Sequence, residues 1–133
     1  MSEPTETFHT LMPFTKTLGI SVMTYTAEEV RARLAWDARL CTAGGVLHGG
    51  VLMSLADSTG AACAFLNLPA GASGTTTVES KTNFLRAVRE GHVDGRSRPL
   101  HVGRTLLVIE TDLLDDRSRL VARVMQSQLV LGG

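Results

Sequence analysis

Apolar and polar positions along this chain change period several times, and each change marks an element. Pro4 to Phe14 carries Phe8, Leu11 and Met12 at helical spacing and predicts a short helix. "LGISVMTYT" (18–26) and "EEVRARLAW" (28–36) flank the turn-like Thr26–Glu29 and predict a strand pair. In the second, Val30, Ala32, Leu34 and Trp36 alternate with Arg31, Arg33 and Ala35, the pattern of a strand with one wet face. "DARLCTAGGVLHGG" (37–50) carries four glycines and reads as a long loop.

The period then becomes helical. Val51, Leu52, Leu55, Thr59, Ala62, Cys63 and Leu66 predict a helix over 50–66, with Gly60 inside it. An interior glycine costs a helix about 1 kcal/mol, so close packing against another backbone is the expected reason for it. After the loop "LNLPAGASG", four β-like segments follow: "TTTVESKTNFL", "GHVDGRSRPL", "TLLVIETDLL" and "SRLVARVMQSQLVL". Short connections between them predict a four-strand antiparallel meander. A helix apolar on nearly every side has to be buried. The expected fold is therefore α+β, a curved antiparallel sheet wrapped around one long central helix, as a single domain over residues 1–133.

Composition narrows the function. Lys+Arg and Asp+Glu both number 13, and this neutrality argues against coating a nucleic acid. The polar, acidic start "MSEPTETFHT" does not read as a signal peptide. Cys41 and Cys63 match no CxxC or zinc spacing, which fits a reduced, cytoplasmic setting. Leu47–Leu68 tempts a membrane reading, but Asp57, Ser54, Ser58, Thr59 and three glycines argue against a spanning helix.

Asp57 is the one acid in that run. An ionised carboxylate among apolar neighbours has to be paired, hydrogen-bonded or neutralised. Asp57 is either a structural acid bonded to a nearby loop or a functional one. Partial desolvation would raise its basicity, so that it could take a proton from water. Alternatively it could attack a carbonyl and form a mixed anhydride. His48-Gly49-Gly50 falls at the expected helix start, where the first backbone N–H groups lack partners and face the positive end of the dipole. An oxyanion would be stabilised there. The plainer alternative is that the glycines only let the loop turn into the helix, with His48 as its cap.

The segment "GGVLHGGVLMSLADSTGAA" (44–62) resembles the signature of hotdog-fold acyl-CoA thioesterases of the PaaI-like (phenylacetic-acid-degradation) group. That signature is a glycine, a hydrophobic residue, His-Gly-Gly, and an acid eight residues after the first glycine of the pair. The likeness continues through "TTTVESKTNFLRAVREG" and "HVGRTLLVIETDL" to the C-terminus. It implies the hotdog fold, homodimers or dimers of dimers (homotetramers), and hydrolysis of acyl-CoA thioesters. By resemblance, the Gly49 amide is the oxyanion donor, Gly50 lies beside it, and His48 contacts the thioester end. Thr77 stands where some relatives place a hydroxyl reaching across the interface to hold the attacking water, although threonine is also simply a good strand residue.

Thr42 stands where relatives often carry Asn or Gln near the thioester, and Ala61 where some have Ser or Thr. Met53, Phe65, Phe84 and Leu85 are pocket candidates. Of the arginines at 86, 89, 96, 98 and 104, Arg86 and Arg104 match positions that contact the CoA nucleotide in relatives, and Arg suits phosphate. CoA would be part of the substrate, and no metal or redox cofactor is implied.

Spacing adds a constraint of its own. Gly49 and Asp57 lie eight residues apart, roughly 12 Å of helical rise. Both cannot come within about 3 Å of one reacting carbonyl. Two copies related by a two-fold axis would solve this, each site taking Gly49 and His48 from one chain and Asp57 from the other. Competing readings are a hotdog 3-hydroxyacyl-thioester dehydratase or hydratase and a non-catalytic acyl-thioester binder. The first typically needs a differently spaced His–acid pair, often with prolines nearby, and His48 is followed by Gly-Gly.

Overall fold

A computed structural model describes residues 2–132 of the chain. The chain opens with helix α1 (Glu3–Leu11), capped by the Ser2 hydroxyl accepting from Thr5 N–H, with Glu3 and Glu6 in its first turn. The single N-terminal helix expected over 4–14 is in fact two. Pro13 disfavours helical geometry at Met12, which turns out at φ −132° and ψ 81°, and a short α2 (Pro13–Thr17) follows.

Strands β1 (Ser21–Tyr25) and β2 (Val30–Ala35) form the expected antiparallel pair. Val30, Ala32 and Leu34 are buried, and Arg31 and Arg33 face outward to Asp94. A folded loop, closed by the Cys41–Leu47 bridge and by His48 N–H donating to Leu40 C=O, delivers the chain to α3 (Gly49–Phe65). Then come β3 (Gly74–Phe84), β4 (His92–Val102), β5 (Leu106–Asp115) and β6 (Leu120–Leu131).

The six strands form one antiparallel sheet in the order β1-β2-β4-β5-β6-β3. The expected meander holds for β4, β5 and β6 but not for β3. Rather than lying beside β4, β3 crosses to the far side of β6 and becomes an edge. The seven-residue connection 85–91 is the physical reason: Val88 is buried under it and Leu85 and Arg86 both donate to Val121 C=O, so it spans the sheet instead of making a hairpin.

α3 lies across the concave face. Leu52, Leu55, Ala56, Thr59, Ala62, Cys63 and Ala64 are buried against inward residues such as Val93, Leu107, Ile109 and Leu113. Gly95 lets the sheet approach the helix: a Cβ there would touch Leu113, Thr59 and Leu55 at 3.3–3.4 Å. The helix is not enclosed all round, as the apolar pattern suggested. Gly50, Met53, Asp57 and Phe65 form one exposed stripe at helical spacing, with half-buried Ala61 within it. Among the described residues, no helix is long and apolar enough to cross a membrane.

Candidate active site

Asp57 stands on the open stripe of α3, facing the start of β3. Its carboxylate is exposed in the single chain, not enclosed by apolar neighbours as its sequence context suggested. Hydrogen bonds hold it instead. Asp57 Oδ1 accepts from the Thr77 hydroxyl at 3.3 Å and from Gln126 Nε2 at 3.4 Å. Thr77 Oγ1 in turn accepts from Gln128 Nε2 at 2.6 Å, which directs the threonine's own proton toward Asp57. Among the described residues, the second carboxylate oxygen has no hydrogen-bond partner. One oxygen is anchored and the other is free to act on a proton or a carbonyl.

Gln126 and Gln128 went unnoticed in the sequence, although a signal was there. "MQSQL" places two amides two residues apart on a strand whose alternate positions face the core, and both prove fully or almost fully buried. Gly60 belongs to this network. A Cβ at residue 60 would run into the Gln126 side-chain amide. The glycine is therefore explained by close packing, but against a side chain rather than a backbone. It leaves the room through which Gln126 reaches Asp57. A β-bulge between Thr77 and Glu79 sets the register, with Thr77 paired to Gln128 on the same face.

The second centre is the start of α3. His48 caps the helix, its Nδ1 accepting from Gly50 N–H at 2.8 Å. In the neutral ring the proton then sits on Nε2, an exposed donor. The capping alternative and the contact role are thus compatible in one side chain. Among the described residues, the Gly49 N–H finds no acceptor, at the positive end of a 17-residue helix. The Phe84 ring covers Gly49, and a Cβ there would meet it at 3.3 Å. Leu47, Leu52, Leu85 and Arg86 continue this wall into an open groove.

The expected residues therefore fall into two groups on one chain. Asp57 and Thr77 form one; His48, Gly49, Gly50, Phe84 and Arg86 form the other. Thr77, expected to work across an interface, bonds the Asp57 of its own chain. Thr42 lies on the exposed loop, and its N–H donates to Val46 C=O. Arg104 sits in the β4–β5 turn at the opposite end of the sheet from Arg86, since Thr105 bonds Val130 and Arg86 bonds Val121 on β6. Arg96 and Arg98 are spent on the outer face, paired with Glu29 and with Glu110 and Asp112. Among the described residues, Arg86, Arg89 and Arg104 form no ion pair.

Cys63 is not a nucleophile in reserve: burial pushes its thiol up to about 11. Among the described residues, no group of three His, Cys, Asp or Glu side chains converges as a metal-binding set.

A long helix cradled by a curved antiparallel sheet is the hotdog fold. A family model of the thioesterase superfamily matches residues 44–122, which contain both centres. The chain is 32% identical over 93 residues to the 1,4-dihydroxy-2-naphthoyl-CoA hydrolase of Escherichia coli, covering 70% of this chain and 68% of that protein. Thioesterase HI1161 from Haemophilus influenzae superposes with a TM-score of 0.89 at 27% identity, over 99% of this chain and 93% of that one. The E. coli PaaI protein shares the fold at a TM-score of 0.86 and 20% identity, over 96% and 91% of the two chains. This chain belongs to the thioesterase superfamily and is a thioester hydrolase.

Proposed function

We propose that the protein hydrolyses acyl-CoA thioesters to free acid and CoA at a site shared between two copies of the chain. Asp57 comes from one copy, and the Gly49 amide and His48 come from the other. The observation that carries this reading is the position of β3. It is an edge strand of 11 residues with one row of backbone groups unpaired by this sheet. Thr77, near its start, touches Asp57; Phe84, at its end, touches Gly49.

Antiparallel pairing of two such edges brings the Thr77 end of one strand opposite the Phe84 end of the other. The partner's Gly49 is thereby carried toward Asp57. The same two-fold operation covers the exposed stripe of α3, whose Met53 and Phe65 are 38% and 48% exposed in the single chain. Covering the stripe also supplies the desolvation that a lone chain lacks.

In the assembled site the thioester carbonyl points at the Gly49 N–H, with the His48 Nε2–H beside it. Negative charge developing on that oxygen meets a fixed donor and a helix dipole. The free oxygen of Asp57 takes a proton from water as the water attacks the carbonyl, or attacks it directly to give an anhydride that water then opens. The CoA thiolate leaves and is protonated. Thr77 and Gln126 keep the carboxylate in place through either route. The E. coli relative's name, a hydrolase of an aromatic acyl-CoA, supports CoA as the carrier. Arg86, next to the helix start, suits its phosphates.

A thiol-release assay over a panel of acyl-CoAs tests the reading. Hydrolysis should be detected and should fall about 100- to 10,000-fold in kcat with Asp57→Asn. Binding of an acyl-CoA with no thiol released by the wild-type protein would overturn it in favour of a non-catalytic binder.

A further inference from the structure

An apolar cavity of about 300 Å³ opens on the Asp57 side of α3. Its walls are Ala61 and Phe65 from α3, Thr75 from β3, Tyr25 from β1, and Leu11 and Met12 from the end of α1. Ala61 follows Asp57 by one helical turn and Phe65 by two, so the cavity begins about 6 Å along the helix from the carboxylate. It runs away from the helix start, whereas the groove holding Gly49, Phe84 and Arg86 lies at the other end. No charged side chain lines it. Thr75 and Thr77 stand two residues apart on β3, which continues one wall from the cavity to the carboxylate.

We infer that this cavity is the acyl chamber of the site, that it selects uncharged, hydrocarbon-rich acyl groups of medium size, and that Leu11, Met12 and Tyr25 set the length accepted. The inference rests on the shared-site reading above and extends it in one respect. The chamber belongs to the copy that supplies Asp57, so acyl selectivity travels with Asp57 and not with Gly49.

Three observations favour this. The volume sits at the small end of ligand pockets, which fits a medium chain or a compact aryl group and not a long fatty chain. A charged acyl terminus would be desolvated there without a partner. The far wall also lies outside the segment common to the superfamily. Asp57 and Gly49 fall within residues 44–122, while Leu11, Met12 and Tyr25 precede it. The shared chemistry and the length-setting wall thus occupy different stretches of sequence.

The test begins with butanoyl-, octanoyl-, hexadecanoyl- and succinyl-CoA. For the wild type, kcat/KM should rise about fourfold per added methylene from butanoyl to octanoyl. It should drop for hexadecanoyl, and succinyl-CoA should be about 100-fold poorer than butanoyl. Met12→Trp should lower the octanoyl-to-butanoyl ratio about tenfold, and Met12→Ala should raise the hexadecanoyl-to-octanoyl ratio by a similar factor. If thermal melting shows that Met12→Trp does not fold, Met12→Ala and Leu11→Ala carry the comparison. Unchanged ratios in the folded variants would overturn the chamber.

Mixed dimers then separate the two claims. One chain carries Asp57→Asn and the other Gly49→Val, which leaves one complete site. Met12→Trp placed on the Gly49→Val chain, which donates Asp57, should shift the ratio. Placed on the Asp57→Asn chain, it should not. The reverse pattern overturns the assignment of the chamber. Absence of activity in every mixed dimer overturns the shared site itself, while the ratios in the homomeric variants still judge the chamber.

Discussion

The Thr77 hydroxyl lies 3.3 Å from Asp57 Oδ1 while accepting a 2.6 Å bond from Gln128. Two strands and a helix thereby aim one proton at one carboxylate oxygen. Thr77→Val should remove that donor and leave a β-branched residue in the strand. We expect kcat to fall about 10- to 100-fold, the worth of a hydrogen bond to a charged group, with thermal stability lowered little. Steady-state kinetics beside a melting curve checks this. A large drop in stability with unchanged kcat would make Thr77 purely structural.

Gly60 and Gln126 are coupled sterically. Gly60→Ala removes a helix-interior glycine, which alone would stabilise by about 1 kcal/mol, but its methyl collides with the Gln126 amide. Overpacking of this kind costs about 1–3 kcal/mol. The single variant should therefore be less stable and less active. Adding Gln126→Ala should restore stability without restoring activity, because the collision and the Asp57 donor leave together. Denaturant unfolding and kcat measured on the two single variants and the double variant decide it.

Arg86 borders the groove at the helix start, and no acid neutralises it among the described residues. If it meets a phosphate, Arg86→Ala should raise KM for acyl-CoA about tenfold with little change in kcat, and the rise of KM with ionic strength should flatten. KM measured across a salt series reads both effects. Arg104 lies at the far end of the sheet from Arg86, so Arg86→Ala reads the groove at the helix start alone.

Cys63 and Cys41 should differ in reactivity. Burial raises the Cys63 thiol to about 11, so little of it is thiolate at pH 9, and the core shields it, whereas Cys41 is only partly buried. The sign is that of a group kept neutral by the fold: its contribution to stability is intact below the unfolded thiol value and is lost as pH rises toward 11. Iodoacetamide at pH 8–9 should label Cys41 first, with Cys63 labelled only on unfolding, as peptide mapping would show.

Much of this was legible in the chain. The change of period at residue 50 marked the central helix, and the Arg-alternating run at 30–36 marked a strand with one wet face. The eight-residue gap between Gly49 and Asp57 already set the two about 12 Å apart along one helix, and both do lie on the single α3. What the pattern could not show was pairing between distant segments. Nothing local to β3 says that it lies beside β6, because that is decided by the connector over Val88 and by the bulge at Thr77. The same blindness hid Gln126 and Gln128. On their own strand they read as polar positions, and their role exists only where β6 meets α3. Asp57 was misjudged for a related reason. Apolar neighbours in sequence imply enclosure, yet the stripe that carries it is left open by this chain.

The most direct measurement is complementation between two dead variants, Asp57→Asn and Gly49→Val, unfolded together and refolded as a mixture, with dimer composition read by native mass spectrometry. About half of the dimers should be mixed, each with one intact site, so the mixture should recover roughly a quarter of the wild-type activity per chain. Confirmed mixed dimers with no more activity than either parent would contradict a site built from two chains.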